Sequence, residues 1–599
     1  MPSPNLRTTP LSSAFPLGFL ALFFLLLSSG LGLLYSTVSV ADLQAVRHAI
    51  YQRNEMPEFV LAVTSRSLTL LRFGLLGTVV ISAAIVAYQI RHGRLFAELR
   101  QVGQQGKAAV GSVVQSVRSL SKLEWLIAGV LLLGILALRL YYFRVYPLGT
   151  DEIATYDYFI SGGPVAITSF YPIPNNHILF SLSCWVVSWF TSHDVLVLRL
   201  PTLLISSIGT VVAYALLVRL ANFRVATLAV GLFCLSPFTL YYSIAGRGYF
   251  LLIVLALGQF FVTLALLHTR RYQQLAWAAF VVLGVLGMYT IPTYIYPLFS
   301  LGLWIACTFI RRREGSQLLT LAGATVLIAG GTLLAYSPII SISGMRLLIA
   351  NDYIAPQTPT EFWQSYALYL HQPARELFGH ERFSVGGFLA LLVAALVALP
   401  FMPRRWRWVA MPALALTLLP FLYMPLQLVY SPARVLLYAV FFFFVAVALA
   451  GDLLLQRLRV SNRLASIGIG LAVSLYGVYQ VAHFRYTLWN AQRADQQLRQ
   501  AYAWLRPQEP RQVFFEAPFH KLYFHHYALT TGYPLELFEA SSAQKSPYDF
   551  VVRENNAPKP APWLLTRAYH PVYSDDRVTI YGAGQAPVAQ PNSAARVGK

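Results

Sequence analysis

Two adjacent carboxylates, Asp151-Glu152, open a polar stretch that follows a hydrophobic run, Trp125–Phe143. Acids are scarce in this chain, with 24 Asp and Glu in 599 residues against 45 Lys and Arg. A carboxylate beside a bilayer can take a proton from an attacking hydroxyl, and a second can position the nucleophile or hold substrate hydroxyls. Asp151 also suits the N-cap of a helix beginning near Ile153, where the helix dipole favours an acid. Spacing alone leaves both roles open. Downstream, Asn175-Asn176-His177 sits where the polar loop enters an apolar segment. Asparagine commonly caps helices, whereas an imidazole can bind phosphate or orient a carboxylate. Arg247 stands between Gly246 and Gly248, with Tyr241, Tyr242 and Tyr249 nearby. A guanidinium is a planar, permanent charge suited to phosphate, and flanking glycines let a ligand approach the backbone. The other reading is an arginine snorkelling to the interface.

Further candidates are weaker. Arg434 begins a late apolar run and is either a second phosphate ligand or an interfacial anchor, and Arg199, before Pro201, reads as structural. His520, His525 and His526 have no cysteine or paired acid at metal-ligand spacing, so FHKLYFHHY reads as an aromatic helix face. No metal site is indicated.

The elements that must hold these residues are membrane helices. With 57% hydrophobic and 12% charged residues, the chain is no ordinary soluble protein. Thirteen runs can each span a bilayer: Phe15–Tyr35, Leu70–Ile90, Trp125–Phe143, Val195–Val218, Val225–Tyr242, Phe250–His268, Leu275–Tyr289, Tyr294–Ile310, Leu318–Tyr336, Val385–Leu399, Trp408–Tyr423, Val435–Leu455 and Ile467–Val481. His177–Phe190 is apolar but short. The first run reads as an uncleaved anchor, being longer than a signal-peptide core. Leu43–Ile50 and Leu95–Leu120 suit amphipathic helices at the interface.

Lys and Arg cluster in Arg91–Lys122, Arg270-Arg271, Arg311–Arg313, Arg404–Arg407 and Arg457–Arg463. Such loops stay cytoplasmic, which places the dyad loop, the Ser337–Ser384 loop and the C-terminal segment outside, in a bacterial inner membrane. The net charge of +21 then reflects this bias rather than nucleic-acid binding. One conflict arises: the dyad and Arg247 both come out external, yet three apolar segments separate them. An odd number of crossings cannot return to one side, so one segment is re-entrant or fails to cross; His177–Phe190, the shortest, fits that, and irregular packing nearer Arg247 fits it equally well.

The expected architecture is an all-α polytopic membrane bundle of about 13 transmembrane helices with a small C-terminal α/β soluble domain. Residues 1–123 hold two N-terminal helices and a basic loop, 124–484 the main bundle, 485–583 the α/β domain and 584–599 a disordered tail. In the α/β domain, Asp495–Leu505 and Leu522–Leu529 read as helices. Gln512–Glu516, Tyr548–Arg553, Trp563–Thr566 and Val578–Tyr581 read as strands. The three cysteines lie in apolar runs and read as core residues.

The order of these motifs resembles the GT-C glycosyltransferases, in particular the group containing the protein O-mannosyltransferases and the lipid A aminoarabinose transferase. That group carries an Asp-Glu in the first external loop of its catalytic bundle, matched here by Asp151-Glu152. Its His/Lys-Pro-Pro-Leu stretch is represented by Asn176-His177-Ile178-Leu179, without the prolines. Its Arg-Leu-Pro motif is matched by Arg199-Leu200-Pro201. Its Ala-Arg-x-Tyr motif is approached by Ala245-Gly246-Arg247-Gly248-Tyr249, with one glycine intervening. The likeness spans about Leu123 to Phe484.

The resemblance implies an inverting transfer of a sugar from a polyprenyl-phosphate donor to a hydroxyl of a lipid, glycan or protein acceptor. Asp151 would be the general base, and Glu152 would position substrate or stabilise the donor sugar. Arg247, Tyr249, His177, Asn176 and Arg434 would hold the donor phosphate. No cofactor is required by this scheme; a divalent metal is compatible with it, but the dyad loop lacks a DxD. Two other readings fit the same features: a polysaccharide polymerase or ligase using Arg346, His371, Arg375, His380 and Arg382 of the long external loop, and a proton-coupled transporter or flippase. No internal repeat supports the transporter.

Overall fold

The computed structural model of the protein describes residues 15–51, 59–349, 356–378, 384–533, 535–539, 548–556 and 569–583. Helices run in the order α1 (Leu17–Tyr35), α2 (Val40–Tyr51), α3 (Ser65–Arg91), α4 (Arg94–Arg118), α5 (Lys122–Val145), α6 (Thr150–Thr155), α7 (Gly163–Ser169), α8 (Ile178–Ser188), α9 (Asp194–Leu220), α10 (Phe223–Leu235), α11 (Pro237–Tyr242), α12 (Tyr249–His268), α13 (Gln273–Thr290), α14 (Ile295–Arg312), α15 (Gly315–Ile342), α16 (Met345–Ile349), α17 (Pro359–Phe378), α18 (Ser384–Ala398), α19 (Arg404–Gln427), α20 (Leu437–Arg457), α21 (Asn462–Leu505) and α22 (Pro518–Thr531). Each of the thirteen expected runs is helical. Eleven helices among the described residues are long and apolar enough to cross a membrane, and Phe223–Leu235 and Val385–Phe401 are shorter. The run Val225–Tyr242 breaks into α10 and α11 at Ser236, which turns extended ahead of Pro237.

The bundle is built around α20 and α12, which are apolar on all faces and mostly buried; the run Phe441–Phe444 is buried throughout. Outer helices keep a bare face of the kind a bilayer covers, such as Leu126, Val130 and Leu133 of α5 and Leu471, Leu475 and Val478 of α21. α1 packs along α3, and Arg72 of α3 donates to the carbonyls of Tyr35 and Val38 at the end of α1.

The crossing conflict resolves at α8. With 11 residues it rises about 16 Å, half the thickness of a hydrocarbon core. Its first end lies beside Arg247, since His177 bonds Gly248. The chain then returns to the same face: Asp194, which begins α9, bonds His526 of the C-terminal domain, and Arg199 bonds Glu152. α8 is therefore a non-crossing helix, and alternation of the other spans puts all five basic loops on one face of the bundle. The dyad, Arg247 and the C-terminal domain share the opposite face.

The C-terminal domain is an α/β layer. Its strands β1 (Gln512–Phe515), β2 (Glu536–Glu539), β3 (Phe550–Glu554), β4 (Tyr569–Ser574) and β5 (Val578–Ala583) form a mixed sheet in the order β2-β1-β3-β5-β4. β1 pairs in parallel with β2 and β3, and β5 is antiparallel to both its neighbours. α22 connects β1 to β2, and Leu498, Ala501, Tyr502 and Leu505 of α21 pack on Val513, Phe515 and Phe524. The boundary expected at 485 falls inside α21, which continues for 44 residues because nothing between Val481 and Asp495 breaks a helix. Sequence reading omitted β2 and β4. β2 is four residues with glutamate at both ends, and β4 carries Pro571 beside an irregularity on the sheet edge. The strand expected at Trp563–Thr566 and the tail 584–599 lie outside the described residues.

Candidate active site

The site begins where α5 ends. Arg199, two residues before Pro201 in α9, donates to the carbonyls of Tyr146 at 2.7 Å and Pro147 at 2.8 Å, just past the end of α5, and to that of Phe143 in its last turn at 3.4 Å. The same guanidinium grips Glu152 with two bonds, Nε to Oε1 at 2.8 Å and Nη2 to Oε2 at 2.7 Å. The amides of Gly246 and Gly149 complete the carboxylate at 2.6 Å and 2.9 Å. Glu152 and Arg199 are both fully buried. All the acceptor capacity of Glu152 is spent on protein, so the expectation that it contacts substrate is replaced by a positioning role. It ties the dyad loop, α9 and the Gly246 turn together and leaves Asp151 next door to face outward.

Asp151 is 43% exposed at the side chain, with its Oδ2 3.9 Å from Nη2 of Arg247. Arg247 itself is locked. Its Nη1 donates to the carbonyls of Asp151 at 3.1 Å and Asn175 at 2.9 Å and to the hydroxyl of Thr155. It lies 5.6 Å from the ring centre of Tyr249, and its Nε has no partner. Snorkelling is thus excluded in favour of a buried, preorganised cation. The flanking glycines serve packing rather than ligand approach. A Cβ on Gly248 would meet His177 at 2.9 Å, and one on Gly246 would meet Leu198 at 2.7 Å.

His177 is buried with its Nδ1 2.8 Å from the amide of Gly248. An amide can only donate, so Nδ1 accepts and the hydrogen of the neutral ring sits on Nε2. Nε2 faces Nη2 of Arg247 at 3.3 Å. Two donors therefore confront each other, an arrangement that an oxyanion would satisfy. Tyr249 stands edge-on to His177 at 4.7 Å and accepts a bond of 2.9 Å from Nε of Arg434. Arg434 is thereby drawn to the site and is no mere interfacial anchor.

Asn176 turns away. Its amide bonds the carbonyls of Ile167 at 2.8 Å and Phe170 at 3.3 Å at the end of α7, and its carbonyl accepts from Ser181. It is a buried clamp between α7 and α8 rather than a donor ligand. Its neighbour Asn175 takes the place nearer the dyad, bonding the Asp151 carbonyl at 3.0 Å and Thr155 at 3.2 Å. Arg346 and His371 are exposed on α16 and α17 and do not line the cleft at Asp151; His380 and Arg382 lie outside the described residues.

The structure also shows what the histidine motif does. His525 Nδ1 bonds Asp157 at 2.7 Å, and His526 bonds Asp157 through Nδ1 and Asp194 through Nε2, both at 2.8 Å. The acids come from the π-helical turn Tyr156–Ile160 and the start of α9, more than 300 residues away in sequence. Both nitrogens of His526 face carboxylates. Burial opposes its protonation, but the two acids outweigh that and lift it to about 9. For Asp157, burial acts upward, and the two imidazoles overcome it to hold the carboxyl below its ordinary range. The cluster latches α22 onto the bundle, with Tyr523 adding a bond to the Leu148 carbonyl at 3.0 Å. Among the described residues, no group of three or more His, Cys, Asp or Glu is placed to hold a metal ion.

Between bundle and domain lies a cleft of about 360 Å³, lined by Asp151, Arg247, Tyr146, Tyr241 and Tyr242 on one wall and by Asp495, Phe519, Tyr523 and Arg577 on the other. Sequence reading missed the second wall, because its residues converge only when the domain docks.

No family model and no curated protein sequence matches the chain. Solved structures do. ArnT from Cupriavidus metallidurans in the apo state aligns at TM-score 0.50 and 14% identity, over 81% of this chain and 100% of that one. The same protein bound to undecaprenyl phosphate aligns at TM-score 0.47 and 14% identity, over 79% and 100%. At this identity the likeness is one of fold. A non-crossing helix, a bundle of long spans and a docked α/β domain thus make up a chain whose fold is similar to that of the solved ArnT structure.

Proposed function

We propose that this protein is a membrane glycosyltransferase that moves a sugar from a polyprenyl-phosphate donor to an acceptor hydroxyl on the extracytoplasmic side of the bacterial inner membrane. The observation that carries this reading is the pairing of an open carboxylate with a locked cation: Asp151, 43% exposed, within 3.9 Å of the buried Arg247 guanidinium. Asp151 takes the acceptor hydroxyl proton, the oxygen attacks the anomeric carbon, and the bond to the lipid phosphate breaks with inversion. Charge grows on the departing phosphate. Arg247, the Nε2 hydrogen of His177 and Arg434 meet it in a place where little solvent competes, and no reorganisation is needed at the moment of reaction. With two guanidinium groups to neutralise the leaving group, the scheme needs no cofactor. Glu152 and Arg199 act by fixing the dyad loop, and Tyr249 acts by holding Arg434.

The reading is tested by transfer from polyprenyl-phosphate sugars with the protein reconstituted in lipid. Asp151→Asn keeps the shape of the site and removes the base, and turnover equal to that of the unmodified protein would overturn the assignment.

A further inference from the structure

The domain wall of the cleft carries a cation, Arg577, that forms no salt bridge among the described residues. Arg577 stands in the β4–β5 turn, and the turn is firmly built. Asp575 accepts from the amides of Arg577 and Val578 at 2.7 and 2.8 Å, and the Arg577 carbonyl accepts from the Asn555 amide at 2.8 Å. The side chain reaches across Phe519, 5.8 Å from its ring centre, into the same cleft as Asp151. Its Nε is buried without a partner, and no acid among the described residues forms a salt bridge with it. The acids nearby are engaged elsewhere: Asp576 pairs with Arg493, and Asp495 accepts from Arg499 at 2.7 Å and from Tyr527 at 3.2 Å. A cleft of this size suits a small polar ligand, and its tyrosines and Phe519 offer flat apolar faces on which sugar rings can rest.

We propose that this wall is the acceptor subsite, in which Arg577 holds a carboxylate or phosphate on a glycan acceptor so that a neighbouring hydroxyl is presented to Asp151. The inference rests on the transferase reading for the role of Asp151, but the recognition of an anionic sugar by Arg577 stands on the geometry of the cleft. The guanidinium supplies paired donors for the anion, Phe519 fixes its plane, and the aromatic residues of both walls bracket the ring. Bundle and domain must then be docked for the acceptor to bind, which gives the His526 latch a purpose in the reaction.

The test uses the full chain in phosphatidylcholine nanodiscs with saturating polyprenyl phosphate, so that the Arg247 site is filled. Binding of glucose, glucuronate and glucose 6-phosphate is compared by saturation-transfer NMR. The unmodified protein is expected to bind at least one anionic sugar about tenfold or more tighter than glucose, the share of a charge-assisted hydrogen bond. Which anion is preferred separates a carboxylate acceptor from a phosphorylated one. Arg577→Gln is expected to abolish the preference, Arg577→Lys to retain part of it, and both to leave polyprenyl-phosphate binding unchanged. Equal binding of all three sugars, or a preference that survives Arg577→Gln, overturns the inference. Failure of the unmodified protein to bind polyprenyl phosphate would instead count against the transferase reading, while the anion preference at Arg577 would still be decided by the same titrations.

Discussion

Replacing His526 with glutamine gives the sharpest test of how the two parts of the molecule are held together. The imidazole donates to Asp157 and Asp194 at 2.8 Å through its two nitrogens, from a side chain only 4% exposed. Its neighbours are His525 on its own helix, which shares Asp157, and His193 and Arg499, which lie near Asp194. The folded value of about 9 against 6.5 unfolded makes the sign plain. The raised value means that the latch stabilises fully below pH 6.5 and loses that contribution as the pH rises through 9. Linkage gives about 3 kcal/mol at pH 6, about 2 at pH 7.5 and less than about 0.5 at pH 9. Breaking a buried charge pair elsewhere costs about 3 to 5 kcal/mol, the same order. His526→Gln should therefore lower the thermal midpoint and speed hydrogen exchange in α22 at pH 6, with the gap to the unmodified protein closing by pH 9. At the acid end, Asp157 contributes stability above the ordinary carboxylate range that is lost as the pH falls through its depressed value. A gap of the same size at pH 6 and pH 9, or unchanged exchange in α22, would refute a charged latch.

Other outcomes follow from the same geometry. Asp151→Asn should reduce transfer about 10²- to 10⁴-fold, the usual contribution of a positioned base, with the thermal midpoint unchanged. Arg199→Met should destabilise by about 3 to 5 kcal/mol by stranding Glu152, and Arg199→Met with Glu152→Met should recover much of that in thermal unfolding without restoring full activity. If Glu152→Gln alone slows turnover while the midpoint stays put, the carboxylate has a direct chemical role after all. Arg247→Lys keeps the charge but loses the planar donors to Thr155 and two carbonyls, and should lower kcat about 10²-fold. For topology, cysteines at Ser192 and Asp576 should react with an impermeant maleimide from one side of the membrane and a cysteine at Arg271 from the other. Labelling of positions 192 and 271 from the same side would refute a non-crossing α8.

Much of the scaffold was legible because a bilayer leaves few choices: thirteen apolar runs of sufficient length had to be helices, and charged loops had to sort by side. The fault in the count showed that one segment fails to cross but left two places for it, and the structure chose α8 by ending it after 11 residues with both its neighbours on one face. Asp151 and Arg247 were legible for the same reason, being charges where charge is costly. Residue type and spacing could not tell which member of the dyad faces outward. Asp151 and Glu152 are chemically alike, and only the arrival of Arg199 and two backbone amides consumes one of them. Likewise, two adjacent asparagines read alike until α7 claims Asn176 and the dyad loop claims Asn175.

The sequence by itself determined a polytopic helical membrane protein with a small α/β appendage, and the few polar residues able to act within it. Those properties follow from composition and local periodicity. Tertiary structure alone decided how the charges pair. His526 meets Asp157 and Asp194 across more than 300 residues, and Arg577 meets the Asp151 cleft across more than 400. Such pairings depend on how helices dock, and docking is governed by packing of whole surfaces, which no short motif records.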